Sequence, residues 1–216
     1  MSQYEILSLQ IEERNFWLAV IVAIISFISA LVVYLDYRSR KKKERAEKSI
    51  QIAEKFAKEI IDPLSTILAF FNQTGLSEII NKVKFSNFFD FDNEELNDLF
   101  SAEDISQYNE LINKYDEKHK MRNLISETLN ELEALCMYIS THVADEKYIY
   151  NSLHQQFLKS ISQLYISISL SNTDNKDKYF TNIIQVFNIW KSKYIKAANK
   201  EKNIKKKLKP KISKIK

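Results

Sequence analysis

Glycine is nearly missing from this chain. Its 216 residues include one glycine, two prolines and one cysteine, where ordinary usage is roughly 7% glycine and 5% proline. Hairpin turns and sheet edges lean on glycine and proline, so their scarcity argues against β structure and for long helices. With a single glycine, no glycine-rich phosphate loop can form. Cys136 has no second cysteine to pair with, which rules out a disulfide framework and suits a reducing compartment. His119, His142 and His154 fall on different predicted segments and make no metal-ligand pattern. No cofactor, metal or small-molecule substrate is implied.

What the chain has instead is one long uncharged run. Phe16 to Leu35 spans twenty residues whose only hydroxyls are Ser26, Ser29 and Tyr34. At 1.5 Å per residue such a run covers roughly 30 Å, the thickness of a bilayer's hydrocarbon core. Trp17 stands at one end and Tyr34 and Tyr37 at the other, where amphipathic rings favour the headgroup level. The flanks differ in charge. Glu5, Glu12 and Glu13 with one Arg14 precede the run, and Arg38, Arg40, Lys41, Lys42, Lys43 and Arg45 follow it. The excess of basic residues after the run predicts an anchor in the inner (cytoplasmic) membrane, N-terminus outside, with the remainder in the cytoplasm. An acidic leader and a Tyr34-Leu35-Asp36-Tyr37 ending do not suit a cleaved signal peptide. Ala19, Ala23, Ser26 and Ala30 share one helical face. Small residues let helix backbones approach in lipid, so this stripe is a candidate self-association face; such residues are also simply common in membrane helices.

After the run the periodicity stays helical. No breaker occurs up to Ile61, so the same helix is expected to continue, with Ala46, Ile50, Ala53, Ala57, Ile60 and Ile61 as its apolar stripe. Asp62-Pro63 suits an N-cap and first helical position, predicting a new helix to about Asn72, before Gly75. Short helices are expected over 75–100, where Asp92 and Glu95 have capping-box spacing. The Asp90-Phe91-Asp92 run lacks the glycine and final glutamate of a calcium loop. A helix from Ser101 to about Glu117 precedes the most regular one, Met121 to Val143, with Ile125, Leu129, Leu132, Cys136, Ile139 and Val143 on one face. Asp145 opens a helix to about Ser169, with Leu153, Phe157, Ile161 and Leu164 facing inward. Ser171 to Asp174 makes a turn, and a last helix covers about 176–198, with Phe180, Ile183, Phe187, Trp190 and Tyr194 on its apolar face. The expected fold is all-α, an N-terminal transmembrane helix continuing into an up-and-down cytoplasmic bundle. Its segments are a short extracytoplasmic N-terminus (1–15), the transmembrane helix (16–37), a basic juxtamembrane helix (38–61), the bundle (62–198) and a lysine-rich tail (199–216).

Charge is partitioned along the chain. Residues 89–118 hold ten acidic and two basic side chains, and residues 189–216 hold twelve lysines and one glutamate. The end of the second stretch has too few apolar groups to pack and is expected to be mobile or loosely helical. Lys205, Lys206 and Lys207, with the basic cluster after the anchor, suit the anionic lipid of an inner leaflet, at about 1 kcal/mol per basic residue. RNA or DNA phosphates are the rival partner, although no aromatic residue interrupts the final lysine run to stack on bases. A solvated tail that binds nothing is the third reading.

Chemistry is sparser. On the helix from Met121, Arg122, Ser126, Asn130 and Glu133 follow a polar stripe beside the apolar face. Polar groups bordering a core need partners, so Arg122 and Glu133, too far apart for each other, are expected to reach other helices or chains. Many helical RNA nucleases carry Arg and, five residues on, His; here Arg122 is followed by Glu127, so the acid–base imidazole is missing. Cys136, on the apolar face, reads as a buried thiol. Arg122-Asn123, Leu129-Asn130 with Glu133, Asp145-Glu146, Tyr179 and Trp190 together resemble a bacterial family of small single-pass membrane proteins, known only as a domain of unknown function, over about residues 15 to 197. More remotely the chain is similar to the pore-forming membrane accessory proteins of type VI (RNA-targeting) CRISPR loci. The first resemblance implies an anchor without assigned activity. The second implies a homo-oligomer acting as an accessory or effector of phage defence at the membrane. The alternatives are an anchored, degenerate helical RNA nuclease and a passive tether that recruits a cytosolic partner.

Overall fold

The computed structural model describes the backbone of residues 3–172 and 178–212, and the side chains of residues 15–18, 20–115, 120–172 and 178–203. It is all-helical, with no strand among the described residues. Two compact units divide the chain, Met1–Glu47 and Lys48–Lys216. Within the first, helix α1 (Gln3–Lys55, which runs on into the second unit) begins well before the uncharged run, at Gln3 rather than near Phe16. The run's described side chains lie on the surface, Phe27 at 72% exposure.

The second unit buries a continuous apolar core. Its part of α1 turns Ser49 and Ile52 inward and Phe56, just after it, is buried as well, while Ile50 stands 59% exposed. The expected stripe through Ile50 and Ala57 is therefore displaced. The docked face is set by the Ser49 hydroxyl, which accepts from the Asp145 N–H at 2.7 Å, a partnership that hydropathy does not register. Asp62-Pro63 does not open a separate, capped helix. A π turn (Phe56–Ile60) precedes α2 (Ile61–Thr74), and the Ile61 N–H donates to the Phe56 carbonyl. Proline lacks an N–H and its ring crowds the carbonyl four residues back, so widening the preceding turn lets helical backbone run through Pro63. Gly75 ends α2 at φ 80°, the left-handed geometry that favours glycine.

Three short elements follow: α3 (Leu76–Ile80), a 3-10 turn (Phe85–Asn87) and α4 (Asn93–Leu99). They lead to α5 (Ala102–His119) and α6 (Met121–Ser140). Helix α6 stops short of Val143, which is 47% exposed, because His142 takes a positive φ and turns the chain away. Helix α7 (Glu146–Gln163) gives way at Leu164 to α8 (Tyr165–Ser171), where one helix to Ser169 was expected; the break leaves Tyr165 fully buried. Helix α9 (Thr181–Ile212) starts later than expected, after Phe180 at φ 60°, and its backbone stays helical into the lysine-rich tail. Of the turn expected at Ser171–Asp174, Thr173 and Asp174 lie outside the described residues. The most extensive packing is α6 on α9, with α7 also on α9 and α2 and α5 on α6.

The segment between the 3-10 turn and α4 enters this core. Phe88 and Phe91 are fully buried; Phe88 stacks on Tyr165 at 3.9 Å between centroids, and Phe91 meets Phe187 edge-on at 5.2 Å. An irregular backbone drawn inside must find hydrogen-bond partners away from water. Asp92 caps α4 by accepting from the Glu95 N–H at 2.9 Å, but Glu95 does not return the bond as a capping box would. Its carboxylate instead accepts from the N–H groups of Phe89 (2.6 Å), Asp90 (3.0 Å) and Phe91 (2.8 Å) and from the Tyr165 hydroxyl (2.9 Å). The carbonyls are met from the other side. Asn172 donates to Phe91 at 2.8 Å, Asn188 to Phe89 at 2.8 Å, and Lys191 to Phe88.

Lys191 is 2% exposed, with its amine 3.5 Å from the centre of the Phe89 ring. Burial lowers its pKa from the ordinary 10.5 to about 8, against the pull of Glu95 and Asp90. The sign follows from proton counts. Between pH 8 and 10.5 the unfolded chain holds more protons on this amine than the folded one, so stability rises with pH across that window. Relative to Lys191→Met, the native chain should gain about 3 kcal/mol of stability between pH 7 and pH 11. Urea unfolding of both proteins at several pH values measures this; a difference that stays flat would refute the burial.

Candidate functional site

The polar stripe of α6 does not converge. Glu133 reaches α9, where its carboxylate accepts from the Asn182 N–H (3.0 Å), the Asn182 side-chain amide (2.7 Å) and the Ile183 N–H (2.9 Å). The first N–H groups of a helix have no partner within it, and a carboxylate there also meets the positive end of the helix dipole. Ser140 completes the arrangement by donating to the Asn182 side-chain oxygen at 2.5 Å. Arg122, near the other end of the stripe, donates to the Asn113 side-chain oxygen on α5. It lines a cleft of about 240 Å³ with Ser126, Tyr108, Asn109 and Ser167. No carboxylate or imidazole is among that cleft's lining residues, and the His119 side chain lies outside the described residues. Asn130 is exposed and belongs to a separate cleft beside Glu127 and Glu131. Glu133 and Arg122 join α6 to other helices at separate places, and Asn130 lies apart from both, so the three do not form one reaction centre.

Other nucleophiles and ligands are equally dispersed. Cys136 is buried, and burial, reinforced by Glu133, pushes its thiol well above its usual range. That disfavours the thiolate needed for nucleophilic chemistry. Burial likewise raises the Tyr108 and Tyr165 hydroxyls. His154 stacks on Tyr150 at 4.4 Å and has its Nδ1 2.6 Å from the Tyr150 carbonyl. Among the described residues no group of three His, Cys, Asp or Glu is placed to hold a metal.

In the first unit, Ser26 and Ser29 donate to the carbonyls of Val22 and Ile25, both at 2.8 Å. Ala23 and Ala30 lie on the same helix; the Ala19 side chain is outside the described residues. The basic residues Arg38, Arg40, Lys41, Lys42, Lys43 and Arg45 are all exposed. Arg40 pairs with Asp36 one turn back at 3.0 Å, and Lys41 lies over the Tyr37 ring at 5.8 Å. The side chains of Lys205, Lys206 and Lys207 lie outside the described residues.

A larger cleft lies elsewhere in the second unit, at residues that hydropathy and catalytic motifs leave unmarked. It encloses about 540 Å³ between α2, α3, α7 and α9, and its walls carry Asn72, Ser77, Asn81, Gln155, Lys159 and Gln163. Gln155, Lys159, Ser162 and Gln163 recur at helical spacing on α7, so their common face was there to be read. It drew no notice because neutral amides match no catalytic pattern.

Comparison with known proteins adds nothing to this geometry. No family model, curated protein or solved structure matches the chain.

Replacing Glu133 with alanine strips three donors at the start of α9 of their acceptor. Charged hydrogen bonds of this kind contribute about 1.5–3 kcal/mol each, partly recovered by water at a half-buried position. Glu133→Ala should cost about 2 kcal/mol, while Arg122→Ala, at an exposed position, should cost less than about 1 kcal/mol. Thermal unfolding of the two variants separates them; equal losses would mean that Glu133 does not hold α9.

Proposed function

We propose that the chain is a single-pass membrane protein that holds its helical domain against the cytoplasmic face of the inner membrane. One observation carries the reading. The uncharged run on α1 averages 2.9 in hydropathy over eighteen residues, and none of that window is buried by the rest of the chain. Surface of this extent needs an apolar solvent. The run contains thirteen Leu, Ile, Phe and Val residues; at about −0.3 to −0.6 kcal/mol each, they favour insertion by roughly 4 to 8 kcal/mol. Its two serine hydroxyls are bonded to carbonyls one turn back, which leaves them no unmet hydrogen bond in lipid. The exposed basic residues from Arg38 to Arg45 support a cytoplasmic domain and contact with anionic lipid.

Within that reading the protein self-associates through the face bearing Ala19, Ala23, Ser26 and Ala30. It serves as an accessory or effector of antiviral defence at the membrane. The small-residue spacing supports the first part, and the more remote similarity to the membrane accessory proteins of type VI CRISPR loci, one anchor followed by a helical domain, supports the second.

The anchor is tested by fractionation. Full-length protein should sediment with membranes, resist extraction by high salt and dissolve only in detergent. Recovery in the soluble fraction without detergent would end the proposal. Self-association has its own test. Crosslinking in detergent should give discrete oligomers, and Ala23→Leu with Ala30→Leu should reduce them severalfold without releasing the protein from the membrane. A strict monomer at every concentration would remove the oligomer and leave the anchor intact.

A further inference from the structure

The cleft between α2, α3, α7 and α9 has unspent hydrogen-bonding capacity of a particular kind. Gln163 donates to the Asn81 side-chain oxygen at 2.9 Å, and Ser77 donates to the Asn72 side-chain oxygen at 2.6 Å. Each asparagine thus has its oxygen engaged while its amide N–H groups have no partner among the described residues. Gln163 conversely keeps its oxygen. Gln155 and the Lys159 amine make no hydrogen bond among the described residues, and both side chains are exposed. Free donors on Asn72, Asn81 and Lys159, a free acceptor on Gln163 and both groups of Gln155 therefore line one opening. The Gln155 amide, with both groups free, can pair side by side with a nucleobase edge, and the single free groups of Asn72, Asn81 and Gln163 can meet further positions on it.

Two further features narrow the ligand. Lys159 is the only charged residue in the lining, so the cleft has no carboxylate for a metal cation or an amine and one partner for one anionic group. Phe85 and Tyr194 form an aromatic wall, their ring centres 6.0 Å apart and their planes tilted by 59°. Aromatic faces stack on planar heterocycles. The volume, about 540 Å³, falls within the usual range for small-ligand sites.

We propose that this cleft binds a nucleotide carrying a single phosphate, with the base read by the amides of Asn72, Asn81, Gln155 and Gln163 and the phosphate held by Lys159. This is independent of the membrane reading, since every residue involved belongs to the second unit.

Calorimetric titration of the full-length protein in detergent tests it, with adenosine and guanosine 5′-monophosphates as probes. At least one should bind with a dissociation constant below about 1 mM. The matching nucleoside should bind about tenfold more weakly, the usual loss when one charge-assisted contact is missing. Lys159→Ala should abolish the difference between nucleotide and nucleoside, and Gln155→Ala should weaken both. Both substitutions fall at exposed positions on α7, so folding is preserved and the readout is binding alone. The proposal is overturned if neither nucleotide binds, if inorganic phosphate binds as well as the nucleotide, or if both substitutions leave affinity unchanged.

Discussion

The second unit depends on satisfying the backbone of one irregular segment that its core has taken in. Phe88 and Phe91 supply two of the largest buried side chains, yet burying them brings in peptide groups that no helix pairs. One carboxylate, Glu95, meets three successive N–H groups, while Asn172, Asn188 and Lys191 meet three carbonyls. An unpaired peptide group in an apolar interior costs about as much as a hydrogen bond contributes, and the penalty recurs for every group left open. Glu95 thereby ties the segment to Tyr165 on α8, and Lys191 ties it to α9. The aromatic contacts of Phe88 and Phe91 become available only because the polar ones are met.

Glu133 does at the start of α9 what Glu95 does at the loop. Both use a carboxylate to meet backbone N–H groups, Glu95 those of the segment just before its own helix and Glu133 those of a distant one. That explains why residues with the look of a reaction centre are held in structural bonds. Arg122, on nearly the same face about three turns nearer the N-terminus of α6, meets α5 instead. A polar stripe on a helix bordering a core is divided among the neighbours that the helix touches along its length, here α5 near its start and α9 further on. Lys191 adds a cost to the arrangement, because its amine is desolvated where its charge is only partly repaid by an aromatic face and a carbonyl.

Helix positions and most core faces were legible in advance because they rest on local periodicity. The buried face of α6 through Ile125, Leu129, Leu132, Cys136 and Ile139, and the left-handed Gly75 after α2, follow from spacing and backbone sterics alone. The misses share a cause. Ile50 was placed inward and Ser49 ignored because hydropathy cannot register a hydroxyl that meets a buried N–H. Asp62-Pro63 was read as a start signal because the accommodating π turn comes from packing around Phe56 and Ile60, both buried. Val143 was counted into a helix that His142 ends.

By itself the sequence determined that the described chain is helical, that one stretch is too apolar and too uncharged to sit comfortably in water, and that basic residues border it on one side. These are properties of composition and neighbouring residues, and they need no knowledge of the fold. Only the tertiary structure decided what Glu95, Glu133, Arg122 and Lys191 are for, and brought the amides of α2, α3 and α7 around one cleft. A side chain's partner depends on which segments meet across tens of residues, and a charged group reads the same in sequence whether it faces water, a helix end or a buried carbonyl.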